Sequence, residues 1–214
     1  MIQIIPAILT DSSERFKELV VKLGAYSSKI HLDIADGVFV PSKTIAGYPE
    51  LGEIGFGAKF DVHLMVQRPQ DQIENWFSIG VDRFIIQAES DVDLEVLISL
   101  IKNNNRKIGL SLNPNTNTEN IVSYLDKIDF VQFMTVRPGS YGGEFVESVV
   151  NKILDFHGQY PNVPIMVDGA IHSETARMVI SVGASALVVG THILQEGNDV
   201  GKAIEELKAI GNNE

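Results

Sequence analysis

Short runs of β-branched and apolar residues alternate along the chain with longer stretches whose apolar positions recur every three or four residues. The short runs predict strands at about 2–7, 29–34, 58–64, 83–88, 107–112, 129–134, 163–167 and 185–189. The longer stretches predict helices near 12–23, 47–54, 69–79, 92–104, 117–126, 145–158, 173–182 and 198–210. The result is eight βα units. Asp11-Ser12-Ser13-Glu14 and Ser173-Glu174 read as helix N-termini, and Asn113-Pro114-Asn115-Thr116 as a turn leading into a helix. Gly80, Gly109 and Gly183 fall where an αβ connection calls for a left-handed residue. No low-complexity or Pro/Ser-rich linker interrupts the series, so residues 1–214 are read as one domain.

Eight such units in 214 residues fit a single α/β domain of the (β/α)8 TIM-barrel class, near the lower end of its size range. A doubly wound open sheet is the competing architecture. The placement of polar residues favours the barrel. Asp33, His63, Gln87, Asn113, Thr135, Asp168 and Gly190 all lie at or just past the predicted C-terminal ends of strands, where barrel enzymes build their sites.

Composition narrows the function classes. With 44% hydrophobic and 21% charged residues, the chain can bury a sizeable core. A formal charge of −11 argues against nucleic acid or an anionic membrane as partner, because both select basic surfaces. An anionic substrate would therefore have to be captured locally. The chain has no cysteine, which excludes disulfides and thiolate metal sites and fits a reducing compartment. No secretory signal is visible at Met1-Ile2-Gln3-Ile4-Ile5-Pro6, and no stretch approaches the roughly 20 apolar residues of a membrane span. A cytoplasmic location is the expectation.

Within strands, residues i and i+2 share a face, so His31 and Asp33 project together. His63 and Asp168 end two other predicted strands. Two imidazoles and two carboxylates from three strands are the donor set of a divalent metal site. Taken singly, each histidine is better explained as a hydrogen-bonded core residue, and Asp11, Asp36 and Asp82 as turn or cap residues. Jointly, two carboxylates and two imidazoles buried at one barrel mouth cost several kcal/mol each, on the order found for unpaired buried charges, unless they are paired or metal-bound. His157, His172 and His192 fall in predicted helices or loops and are read as structural. A second cluster is glycine-rich. Gly139, Ser140, Tyr141, Gly142 and Gly143 follow strand six, Gly169 and Ala170 follow strand seven, and Gly190 and Thr191 follow strand eight. Glycines let backbone N–H groups approach an anion, and barrel enzymes often hold phosphate at the loops after strands seven and eight.

These residues stand in an order that resembles the ribulose-phosphate 3-epimerase family. The likeness runs from Ile5-Pro6-Ala7-Ile8-Leu9 to Gly190-Thr191. It is carried by His31-Leu32-Asp33-Ile34-Ala35-Asp36-Gly37-Val38-Phe39-Val40-Pro41, Asp61-Val62-His63-Leu64-Met65-Val66, Leu112-Asn113-Pro114, Met134-Thr135-Val136-Arg137-Pro138-Gly139 and Val167-Asp168-Gly169. The resemblance implies that His31, Asp33, His63 and Asp168 hold one divalent metal, and that Asp33 and Asp168 are the catalytic acid/base pair. Zinc, iron, manganese and cobalt all suit such a donor set. Epimerisation beside a ketone needs two opposed acid/base groups, because a proton leaves one face and returns to the other. The resemblance places Met65 and Met134 beside the reaction centre and Ala7 and His63 against the substrate.

The chain departs from the family pattern at several of these positions. Ala7 stands in place of a serine, Ala35 of a methionine, Val38 of a histidine, Ser42 of an asparagine and Gln87, a pocket-wall position, of a histidine. Ser140-Tyr141 stands in place of Phe-Gly, and Ala170 in place of the second glycine of an Asp-Gly-Gly turn. The implied partner is a phosphorylated ketose, D-ribulose 5-phosphate first, with another ketose phosphate such as allulose 6-phosphate as the alternative. A non-catalytic sugar-phosphate-binding paralogue is a further alternative, and self-association stays open. A barrel decarboxylase or lyase would need an Asp-x-Lys-x-x-Asp run, and Ala35 occupies its lysine position.

Overall fold

Each strand pairs in parallel with the next, and the last pairs with the first, so the sheet closes into a barrel in sequence order. The computed structural model describes residues 2–54, 57–138, 142–195 and 197–212. Its strands are β1 (Gln3–Ile8), β2 (Lys29–Ala35), β3 (Lys59–Met65), β4 (Arg83–Gln87), β5 (Lys107–Leu112), β6 (Phe130–Met134), β7 (Ile165–Asp168) and β8 (Ala186–Val189). The helices are α1 (Ser13–Gly24), α2 (Tyr48–Glu53), α3 (Ile73–Ile79), α4 (Leu94–Asn103), α5 (Ser148–Gln159), α6 (Ser173–Ser181), α7 (Thr191–Leu194) and α8 (Val200–Asn212). None of the described helices is long and apolar enough to cross a membrane.

The strands have two buried faces with different contents. Outward residues such as Ile4, Ile8, Ile30, Leu32, Val62, Leu64 and Phe84 join the helices' apolar stripes in one large core. In α1 that stripe is Phe16, Leu19, Val20 and Leu23, the three-and-four spacing of one helix face. Inward residues form a second, smaller core around Ile5, Ile85, Phe130, Met166 and Val188. The interior also takes buried polar side chains, among them His31, His63, Gln87, Ser111, Gln132 and Asp168. Toward the strands' N-terminal ends, the Arg83 guanidinium pairs with Asp61 (Nε to Oδ1 2.7 Å) and lies 4.9 Å from the Phe130 ring centroid. Apolar packing therefore concentrates in and below the middle of the barrel, and polar groups gather at its C-terminal mouth.

Local signals explain most element boundaries. Ser12 caps α1 by accepting from the Arg15 amide at 3.2 Å, and Asp93 caps α4 by accepting from Val96 at 3.1 Å. Gly80 ends α3 in the left-handed region at φ 81°, and Gly183 adopts φ 111° before β8.

Three expectations are corrected. Gly109 lies inside β5 and does not carry a left-handed turn; a Cβ there would meet the Phe130 ring at 2.3 Å, so glycine serves the close approach of an aromatic ring from the neighbouring strand β6. Asn105, at φ 55°, makes the turn after α4 instead. The helix expected over 117–126 is a 3-10 segment, Thr118–Tyr124, which buries only Ile121 and has no side-chain cap at Asn117, so little packing rewards a longer α-helix. The helix expected over 69–79 is broken at Gln72, with a short 3-10 turn Pro69–Asp71 ahead of α3. The short α7 after β8 was not predicted.

Candidate active site

Strand alternation brings His31 and Asp33 of β2 into the mouth together, and the parallel register sets Asp33 directly beside His63 of β3. Asp168 ends β7 and reaches in from the other side of β1. One donor atom from each of His31, Asp33, His63 and Asp168 lies within 4.8 Å of all the others. Asp33 Oδ1 is 2.9 Å from His63 Nδ1 and 3.3 Å from His31 Nε2. Asp168 Oδ2 is 3.6 Å from His63 Nδ1 and 3.8 Å from His31 Nε2. Both imidazoles are fully buried, and the two carboxylates are nearly so.

The fit to a divalent metal rests on what this cluster leaves unsatisfied. Neither nitrogen of His31 has a hydrogen-bond partner among the described residues, and the Nε2 contacts to the carboxylates are close approaches without hydrogen-bond geometry. Buried imidazoles are rarely left so. Two nitrogens and two carboxylate oxygens converging on one point, in a pocket with no cysteine, form a donor set for a divalent cation, and the four residues could hold one.

The electrostatics divide the two aspartates. Burial pushes the Asp33 carboxyl up, but the positive field of His31 and the hydrogen bond from His63 outweigh it and hold the group well below its ordinary value. Burial and the neighbouring Asp33 charge push the Asp168 carboxyl up, with His63 only partly opposing them. Burial pushes the His63 imidazole down, yet its contacts with Asp168 and Asp33 lift it to about 9. Without a cation the pocket therefore pairs an ionised Asp33 with a protonated His63 and pushes Asp168 in the direction of its acid form.

Asp33 and Asp168 open into a cavity at the barrel mouth. Ala7, Met65 and Met134 form apolar wall. Gly142, Gly143, Gly169, Ala170, Gly190 and Thr191 line it as well, so the glycine-rich turns after β6, β7 and β8 share one rim. Gly139, Ser140 and Tyr141, also expected there, lie outside the described residues. No lysine or arginine is among the described lining residues. His31, His63 and Gln87 do not line the cavity; they stand behind it, fully buried, and Gln87, expected as wall, packs against His63.

The turn after β7 is closely built. The Thr135 amide donates to the Asp168 carbonyl at 2.8 Å, and the Thr175 hydroxyl donates to the Ala170 carbonyl at 2.9 Å. Gly169 sits at φ 119° with its α-carbon against Val136, where a Cβ would come 2.6 Å from a methyl and 2.9 Å from the backbone nitrogen. Ala170 follows at φ 49°, a left-handed conformation that L-residues other than glycine adopt at a cost of about 1 kcal/mol or more. Ala170→Gly should therefore be neutral to stabilising by up to about 1 kcal/mol in urea unfolding, whereas Ala→Gly within a regular element costs about that much. A clear loss of stability would contradict the strain.

Sequence reasoning missed several residues here. Leu9, Val136, Ile171, Val188 and His192 line the cavity. His192, read from the sequence as structural, stands at the glycine-rich rim beside Thr191, and its Nε2 has no partner among the described residues. Gln132 was not singled out, although its amide lies 3.4 Å from Asp168 Oδ2 and 3.3 Å from His63 Nδ1. Its signal was present. Gln132 shares an inward face with Met134, two positions on in an otherwise apolar strand, and a polar residue at such a position needs a buried partner.

The model for the ribulose-phosphate 3 epimerase family matches residues 3–194 of the chain. The chain is 37% identical over 218 residues to the ribulose-phosphate 3-epimerase of Bacillus subtilis (strain 168), covering 97% of this chain and 99% of that protein. It is 34% identical over 219 residues to the chloroplastic ribulose-5-phosphate-3-epimerase of Arabidopsis thaliana, covering 95% of this chain and 75% of that one. Among solved structures, 3-hexulose-6-phosphate synthase from Salmonella typhimurium matches with a TM-score of 0.70 over 99% of each chain at 13% identity, which is a likeness of fold alone.

Proposed function

Because the chain belongs to the ribulose-phosphate 3-epimerase family, whose curated members are isomerases, we propose that it is a metal-dependent ketose-phosphate 3-epimerase acting on D-ribulose 5-phosphate to give D-xylulose 5-phosphate. The observation that carries this reading is the four-residue cluster His31, Asp33, His63 and Asp168, with two carboxylates of opposite electrostatic bias at the cavity floor. The same four residues would hold the metal, whose identity among zinc, iron, manganese and cobalt is left to measurement. When bound, it supplies Lewis-acid stabilisation for the negative oxygens of an enediolate.

The chain's own residues account for the proton movements. One aspartate, ionised, removes the proton from C3 on one face of the sugar, and the electron pair of that C–H bond enters the enediolate. The other aspartate, protonated, delivers its proton to C3 from the opposite face. At the end the two have exchanged protonation states, so the reverse reaction uses the same pair in opposite roles. The neighbours of the two carboxyls already differ, Asp33 being held down by the imidazoles and Asp168 pushed up by burial and by Asp33, which suits a pair that carries one proton between them. Met65 and Met134 limit water at the planar intermediate. The turns at Gly142–Gly143, Gly169–Ala170 and Gly190–Thr191 take the phosphate through backbone amides, which lets a chain of net charge −11 hold an anion without lysine or arginine. A cytoplasmic location is part of this reading and is supported by the absence of cysteine.

A second substrate is favoured by one observation. Ala7 faces the cavity with a methyl group, 3.8 Å from where a Cβ on Gly190 would lie, and offers no side-chain hydrogen bond to a sugar hydroxyl. A wall that makes one hydrogen bond fewer discriminates less among sugars, so another ketose phosphate, such as allulose 6-phosphate, is the alternative substrate. Incubating the metal-loaded protein with each sugar phosphate in D2O tests both. Deuterium at C3 of ribulose 5-phosphate, and its conversion to xylulose 5-phosphate, is the expected result. Exchange confined to the hexulose phosphate would replace the substrate and keep the mechanism. A metal-bound protein that exchanges no proton with either would leave a sugar-phosphate-binding protein without catalysis.

A further inference from the structure

We infer that Gln87 is a positioning residue for the metal centre: its amide oxygen accepts a hydrogen bond from the Nε2–H of His63 and so keeps Nδ1 of that ring as the nitrogen that faces Asp33, Asp168 and the ion. The inference rests on the metal site proposed above. It adds a role for a side chain that does not reach the cavity.

Gln87 ends β4 on the inward face and is fully buried. Its amide group is 2.8 Å from His63 Nε2. Hydrogen-bond chemistry decides which end of the amide faces the ring. With the oxygen toward His63, the oxygen accepts from Nε2 at 2.8 Å while the amide nitrogen donates to Glu89 Oε2 at 3.0 Å and to the Ser111 carbonyl at 3.3 Å. The reverse orientation sets the amide oxygen of a fully buried side chain against two other oxygens, a costly arrangement. Glu89 is held in turn, because its Oε1 accepts from the Asn113 amide at 2.9 Å. A fixed line of contacts therefore runs from the backbone at the end of β5 through Glu89 and Gln87 to His63.

The consequence for the ring is specific. A neutral imidazole carries one proton, and an acceptor at Nε2 fixes that proton there. Without an ion Nδ1 carries a second proton, shared with Asp33 Oδ1 at 2.9 Å and facing Asp168 Oδ2 at 3.6 Å; a cation that displaces it meets the Nδ1 lone pair in the middle of the donor cluster, while the Nε2 proton stays hydrogen-bonded to Gln87. Metal-bound histidines commonly carry such an acceptor behind them, and removing it lowers metal affinity about 10- to 100-fold. His31 is the internal contrast. Its Nδ1 has no partner among the described residues, so nothing comparable selects its tautomer.

Zinc titration against a competing chelator, at fixed pH, compares the full-length protein with Gln87→Met, which keeps the side-chain length without an oxygen, and Gln87→Glu, which keeps an acceptor. The inference expects zinc affinity about 10- to 100-fold weaker in Gln87→Met and close to that of the parent in Gln87→Glu. Nitrogen-15 NMR of the zinc-loaded parent gives a readout that packing alone does not move, and it stands even where a variant fails to fold. The His63 Nε2–H should be present and slow to exchange, with Nδ1 carrying the shift of a metal-bound nitrogen. His63 bound through Nε2, or Gln87→Met binding zinc as tightly as the parent, overturns the inference and leaves the metal site standing. A parent protein that binds no zinc, manganese or cobalt removes the site and the inference together.

Discussion

Asp33→Asn and Asp168→Asn should each lower turnover by about 10³-fold or more, since each removes a proton-transfer group, worth about 10²- to 10⁴-fold, together with a candidate metal ligand. The two variants should differ in a second measurement. Asn at position 33 keeps an oxygen that can accept from His63, but it loses the negative charge that the imidazoles favour. Asn at position 168 removes a carboxyl whose ionised form is opposed by burial and by Asp33 but which also supports the His63 proton, so the two effects partly offset. In chelator near neutral pH, thermal unfolding should therefore show Asp33→Asn losing more stability than Asp168→Asn. Both should retain the circular dichroism of the barrel. Either variant keeping a substantial share of parental turnover would reject the two-aspartate scheme.

The difference between those two aspartates could not be read from sequence, although their presence could. His31 and Asp33 share a face because strands alternate, and the run Lys29–Ala35 is apolar enough at its other positions to mark it as a strand. The eight-fold alternation was legible for the same reason: each strand is a short apolar run, and each helix on the outer ring shows its core stripe. What stayed hidden depends on contacts across the barrel, between residues far apart in the chain. Gly109 looks like a turn glycine until Phe130, from the next strand, is seen to occupy its side-chain space. Gln87 sits at a strand end like a cavity residue, yet the barrel's curvature places it behind His63, where it meets Glu89 and Ser111. The opposite pKa directions of Asp33 and Asp168 arise from which carboxylate lies nearer the two imidazoles, a matter of tenths of an ångström. Local helix character over 118–124 was likewise decided by how little of that segment the barrel buries.

Stripping the metal from the protein should abolish turnover and also turn a nearly flat pH dependence of stability into one that falls as the pH rises. The argument follows one proton. In the metal-free protein His63 titrates at about 9, against an ordinary value of 6.5, so between these pH values the folded state holds a proton that the unfolded chain has released. Its stabilising contribution is complete below pH 6.5 and is lost as the pH rises through 9; a shift of this size is worth on the order of 3 kcal/mol. Asp33 works in the opposite sense, its contribution being present above 3.8 and lost as the pH falls below it. The metal-free protein should accordingly be most stable at mildly acidic pH and lose stability steadily from 6.5 to 9. A cation competes for the same site and must displace the His63 proton, so its affinity should rise up to about tenfold per pH unit over that window. The loaded protein gains stability in proportion to the logarithm of metal concentration over its dissociation constant, about 2.7 kcal/mol at a hundredfold excess. Denaturant unfolding at pH 6.5, 7.5 and 8.5, with chelator and with excess zinc, measures both slopes. Metal protection that widens with pH, against a metal-free baseline that falls, is the expected pair of trends; a metal effect independent of pH would mean that His63 does not give up a proton to the ion.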